Sequence, residues 1–163
     1  MTGAGRRIGI ACAVAAFALD QGTKVLALGS PALSTGLEVL PVLNLVLVRN
    51  SGVSFGMLDG LPWWALTLLG LTIVAALSVW LSRAQSRFIS VALGLAIGGA
   101  LGNLFDRLRH EAVTDFLDFH VAGYHWPAFN LADAAVVCGV GLLLVDGLLE
   151  SRGRNKTGGV PDA

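Results

Sequence analysis

The chain has 163 residues, 55% of them hydrophobic and only 13% charged, against about 25% charge in an ordinary soluble domain. With a mean hydropathy of +0.72, this composition excludes a disordered chain, a soluble nucleic-acid binder and an ordinary cytosolic enzyme. Lys plus Arg (11) equals Asp plus Glu (11), so no net field steers a charged partner.

A helix crosses the hydrocarbon core in roughly 20 residues, and four stretches qualify. The first, residues 8–28, is interrupted by Asp20 and Lys24. Its start has the outline of a cleavable signal. Arg6-Arg7 precede an apolar run, Ala16-Phe17-Ala18 is a small-x-small triplet, and Gly9-Ile10-Ala11-Cys12 hints at a lipobox. Cys12 leaves no room for an apolar region before it, and apolar character resumes past Lys24, so a retained span is expected.

A long connection, 29–60, follows. Its Leu37–Val48 segment is rich in Leu and β-branched residues but too short and broken to span, and Pro41 limits it to an edge strand or irregular sheet. Beyond it, Gly52-Val53-Ser54-Phe55-Gly56 is a formal GxSxG match, a weak pattern in a chain with 21 glycines. The second span, 61–82, is uncharged, and a short link with Arg83 and Arg87 leads to the third, 88–105. There Gly94, Gly98 and Gly102 form GxxxGxxxG, which admits a close neighbour and makes this helix the natural bundle centre.

The second long connection, 106–128, holds His110, His120, His125 and Asp118. With no HExxH and no spacing suited to one helix face, no metal site is expected. These histidines read as part of an interfacial loop beside Tyr124 and Trp126. The fourth span, 129–149, has Asp133 near its start and Asp146 near its end. The polar, Gly-rich residues 151–163 read as a disordered tail. Cys12 and Cys138 form no disulfide framework. The expectation is one membrane-embedded domain, residues 1–150.

Seven of the 11 basic residues lie before the first span, in the short link or after the fourth span. By the positive-inside rule both termini are cytoplasmic and both long connections extracytoplasmic. Polar groups then gather at one depth. Asp20 and Lys24 are i, i+4; Asn103, Asp106 and Arg107 are i, i+3, i+4; Asn130 and Asp133 are i, i+3. Three helices thus carry a polar face near the outer leaflet, which suggests a shared cavity open to that side. Asp20 and Lys24 read mainly as a neutralising structural pair, and Asp106 and Arg107 also fit an interfacial anchor.

Asp133 has no basic residue within a turn of it in sequence, so its carboxyl reads as functional. Asp115 and Asp118 lie among apolar residues, where desolvation favours a protonated carboxyl. The chain returns to the membrane through Trp126-Pro127 and can bring either of them over Asp133. Two close carboxyls cannot both ionise cheaply and share one proton. The ionised one can deprotonate a water while the neutral one polarises a carbonyl, which is metal-free amide hydrolysis.

The motifs Asp20-Gln21-Gly22-Thr23-Lys24, Asn50-Ser51-Gly52-Val53-Ser54-Phe55, Gly98 through Arg107, Val113-Thr114-Asp115-Phe116 and Phe129-Asn130-Leu131-Ala132-Asp133 occur in that order. In them the chain resembles bacterial lipoprotein signal peptidase (signal peptidase II) over nearly its whole length. The resemblance implies an all-α integral membrane protein, a four-transmembrane-helix bundle with a small extracytoplasmic β-element and a short amphipathic helix over the site. It implies an intramembrane aspartic endopeptidase of the bacterial plasma membrane. Such an enzyme removes the signal peptide of a prolipoprotein by cutting N-terminal to its diacylglyceryl-modified cysteine. The catalytic pair maps onto Asp115 and Asp133, which selects Asp115 over Asp118. Asn50, Gly52, Asn103, Arg107 and Asn130 map onto the substrate pocket, and Asp20, Lys24 and Asp106 onto structural polar positions. No cofactor, metal or nucleic acid is implied. The partners are the lipid-modified precursor and membrane lipid, and the expected state is a monomer.

Two rival readings remain. One is a small transport or assembly subunit whose Asp and Asn residues line an ion path, although four spans are few and no internal repeat is evident. The other is a serine hydrolase centred on Ser54.

Overall fold

The computed structural model describes residues 3–52 and 61–157, with backbone alone beyond residue 151. Four long helices, α1 (Gly3–Leu28), α2 (Trp63–Arg83), α3 (Arg87–His110) and α4 (Leu131–Thr157), carry most of the chain. Each is long and apolar enough to cross a membrane. Their outer faces are apolar and uncovered: Leu26, Val137 and Leu144 are each more than three-fifths exposed, as suits helices surrounded by lipid rather than water.

The packing centre is α3, which touches each of the other three helices. Small residues make this possible. A Cβ on Gly94 or Gly98 would collide with the α1 backbone at Gly9 or Ala13, and one on Gly99 would strike the carbonyl of Ala132 in α4. With no large hydrophobic driving force between helices in lipid, such close backbone approach is what holds a bundle together. Ser86 caps α3 by accepting from the Phe88 N–H at 3.1 Å. The helix ends where Glu111 turns left-handed (φ 57°) and donates back to the Arg107 carbonyl.

A four-stranded antiparallel sheet, β1 (Leu37–Leu40), β2 (Leu43–Asn50), β3 (Val113–Val121) and β4 (Tyr124–His125), sits at the α3 C-terminal end of the bundle. Pro41 lies in the two-residue turn between β1 and β2, where its missing N–H costs nothing. Ala27, Leu33 and Phe116 pack the sheet onto the end of α1.

Several expectations are corrected. The sheet joins both long connections, because β3 supplies its longest strand, so the protein is not all-α. The third helix continues five residues past the expected end, carrying Asp106 and Arg107 as helical residues. The fourth starts at Leu131, because Asn130 acts as its cap. It continues past the expected end at residue 149 and is described as helix to Thr157, within the segment expected as a tail. The only short helix among the described residues is the 3-10 turn Pro31–Ser34. The rest of the region where an amphipathic helix is expected, and Ser54 with it, lies outside the described residues.

Candidate active site

β3 supplies Asp115 and the first turn of α4 supplies Asp133. Chain geometry brings them together: Phe129 bridges antiparallel to Leu117, with Phe129 N–H to Leu117 C=O at 3.0 Å and Leu117 N–H to Phe129 C=O at 2.9 Å. The next residue, Asn130, is thereby delivered beside Asp115 as the chain turns into α4.

Asn130 is wholly buried and holds both acids. Its side-chain Nδ2 donates to Asp115 Oδ1 at 2.6 Å. Its backbone N–H donates to Asp133 Oδ2 at 3.2 Å, and its Oδ1 accepts from the Asp133 N–H at 3.0 Å. That reciprocal pair is a capping box with Asn in place of Ser and Asp in place of Glu. The Asp133 carboxyl is therefore fixed at a helix N-terminus, where the dipole favours negative charge.

The remaining carboxylate oxygens are also held. Asn50 of β2 donates to Asp115 Oδ2 at 2.9 Å, diagonally across the β2–β3 pair in which it sits opposite Val113. Its own Oδ1 accepts the Gly52 N–H at 3.0 Å. Asn103 of α3 donates to Asp133 Oδ1 at 2.8 Å. Arg107 Nη2 donates to the Gly52 carbonyl at 3.0 Å. The five residues expected to line the pocket thus gather around the two acids.

Beneath lies a buried ionic cluster. Lys24 (2% exposed) sits 2.9 Å from Asp20 and 3.2 Å from Asp106, and donates to Asn103 Oδ1 at 3.0 Å. Asp20 also accepts the Ala132 N–H at 2.9 Å, and Asp106 accepts the Thr114 N–H at 2.9 Å. The cluster therefore fixes the α4 N-terminus and the start of β3 at once, which is more than the neutralising helix-to-helix pair expected. Gln21 belongs to it as well, donating to Asp20 and Asp106. It lies within the first motif, yet spacing gives it no face in common with Asp20, so nothing singled it out. Thr114 lies within the fourth motif but enters the cluster only through its backbone N–H, which its residue type does not mark.

Asp118 is excluded from the site by strand alternation, since an odd separation from Asp115 puts it on the opposite face. There it accepts from Asn44 at 3.0 Å and meets His125 Nδ1 at 2.9 Å. Burial works to raise its pKa, but the His125 and Asn44 hydrogen bonds outweigh it and hold the carboxyl below the usual range. His120 stacks on His125 in the same hairpin. Asp115 behaves oppositely. Burial, with Asp133 adding to it, pushes its pKa up to about 6 against the opposing donors Asn50 and Asn130 and the Lys24 charge. A carboxyl raised into this range can hold or release a proton near neutrality, as general acid–base catalysis requires.

The family profile described as signal peptidase (SPase) II matches residues 12–149. The lipoprotein signal peptidase of Burkholderia thailandensis is 43% identical over 150 residues, covering 90% of this chain and 89% of that protein. That of Methylorubrum extorquens is 44% identical over 147 residues, covering 87% and 86%. A solved bacterial membrane enzyme, determined by the in meso method, superposes with a TM-score of 0.79 at 32% identity, covering 88% of each chain.

Proposed function

The chain belongs to the signal peptidase II family of aspartic peptidases, and from that premise we propose that Asp115 and Asp133 are its catalytic pair. It is a multi-pass bacterial membrane protein. The substrate is a lipoprotein precursor, cut N-terminal to its diacylglyceryl-modified cysteine. The observation that carries the assignment is that one buried residue, Asn130, binds both carboxyls.

The reaction uses one shared proton. The ionised carboxylate takes a proton from water while the protonated one donates a hydrogen bond to the scissile carbonyl. The water oxygen bonds to the carbonyl carbon, giving a tetrahedral intermediate. Its C–N bond then breaks as a proton passes to the leaving amine. The products are the signal peptide's carboxyl and the lipoprotein's free amine. Asn50, Asn103 and Asn130 orient the acids, while Arg107 holds the backbone at the buried Gly52.

The proposed orientation has both termini in the cytoplasm and the acid pair near the outer interface; the basic residues gathered at one end of the bundle support it. A lipid-anchored substrate diffusing in the membrane presents its scissile bond at that depth. Incubating purified protein with a diacylglyceryl-modified precursor tests the reading. Cleavage at the modified cysteine is expected, and cleavage elsewhere, or equal cleavage of the unmodified precursor, contradicts it.

A further inference from the structure

A concavity among the described residues lies away from the acids. It is an open groove of about 630 Å³, floored by α3 and walled by α1 and α2. Ile10, Val14 and Phe17 line one wall, Leu101 and Leu108 the floor, and Ser78 and Ser82 the α2 side. Leu101 and Asn103 project about 160° apart around α3, so the groove lies across the helix from the acids.

The groove has a polarity. Its lining is apolar except at one end, where Arg6, Ser78 and Ser82 meet it. Arg6 is the only charged lining residue, and among the described residues no carboxylate pairs with it. From Arg6 to Phe17 the α1 wall runs about 16 Å, close to half of a ~30 Å hydrocarbon core. An apolar trough about one leaflet long with an unneutralised guanidinium at its end matches a chain-and-headgroup molecule of opposite charge. Arg7, Arg83 and Arg87 sit at the same helix ends and add to the attraction.

We propose that this groove is a binding site for one anionic phospholipid, its acyl chain lying between α1 and α2 and its phosphate on Arg6. Bound there, the lipid fills the gap between two helices that otherwise touch little, bracing them against α3. The cytoplasmic leaflet as its source follows from the proposed orientation. The binding itself does not depend on that orientation or on the proposed chemistry.

The test is native mass spectrometry of the full-length protein purified in detergent, with phosphatidylglycerol or phosphatidylcholine added. The wild type is expected to retain one phosphatidylglycerol per chain in preference to phosphatidylcholine. Arg6→Gln should weaken that retention about fivefold, the share of one basic residue. Val14→Trp fills the trough from an exposed position and should reduce retention of both lipids. Circular dichroism of each variant confirms the fold, and because Arg6 is exposed, its variant remains informative if Val14→Trp fails to fold. Equal retention of the two lipids, or undiminished retention in Arg6→Gln, overturns the proposal. So does a chain dimer or a co-purified peptide in the groove in place of lipid.

Discussion

Asp115 and Asp133, 18 residues apart in sequence, are hydrogen-bonded to the same residue, one through the Asn130 side chain and the other through its backbone N–H. A sheet residue and a helix residue are thereby locked into one unit. The proposed chemistry depends on that coupling, because a shared proton requires two acids held in a constant relation.

Replacing Asn130 separates its two tasks. Asn130→Ser keeps a good helix cap for α4 but removes the amide that grips Asp115. Thermal stability should fall by about 1–3 kcal/mol, the cost of buried acceptors left without their donor, while kcat of the folded variant falls about 10²-fold, the cost of a misplaced catalytic group. Melting curves and steady-state kinetics on the same preparation check this. Unchanged kcat in the folded variant would make Asn130 merely structural.

The raised pKa of Asp115 predicts a pH-dependent stability. Folded, the carboxyl holds its proton up to about pH 6; unfolded, it loses it near 3.9. The folded state therefore binds more protons across that window, and stability falls as pH rises from about 4 to about 6, then levels off. Asp115→Asn removes this slope. Melting temperatures of both proteins from pH 4 to 8 should diverge through the window and run parallel above it; parallel curves throughout would contradict the assignment.

Much of this arrangement was legible beforehand. The four spans follow from apolar runs, and the polar depth follows from helical spacing. Glycine spacing identified α3 as the centre. The strand β3 is not legible in the sequence, because Asp115, Asp118 and His120 interrupt its apolar pattern; their side chains meet Asn50, Asn44 and His125 instead. Choosing between Asp115 and Asp118 needed the family resemblance, since spacing allowed either. The structure adds that strand alternation turns Asp118 to the face opposite Asp115. Around Lys24 the sequence marks only an ion pair. The cluster's reach to Ala132 and Thr114 depends on backbone N–H groups, which every residue carries and no sequence pattern marks.

That cluster should be costly to break. Lys24→Met leaves Asp20 and Asp106 buried together without their cation. Stability should drop by about 3–5 kcal/mol, as for other buried pairs stripped of one partner. Chemical or thermal unfolding in detergent measures it, and a loss below about 1 kcal/mol would show that the cluster holds nothing.

Packing and chemistry meet at Gly99. A Cβ there strikes the Ala132 carbonyl, one residue before Asp133. Gly99→Val should push the α4 N-terminus away from α3 and cut kcat about 10²-fold or more, along with stability. Kinetics of the folded fraction check it; full activity would mean that α4 adjusts freely.

The most direct test is cleavage of a diacylglyceryl-modified precursor by Asp115→Asn and by Asp133→Asn, each shown by circular dichroism to keep its helices. Each variant should lose at least about 10²–10⁴-fold in rate, the contribution of a positioned acid or base. Near wild-type cleavage by either folded variant would remove the acid pair from the reaction.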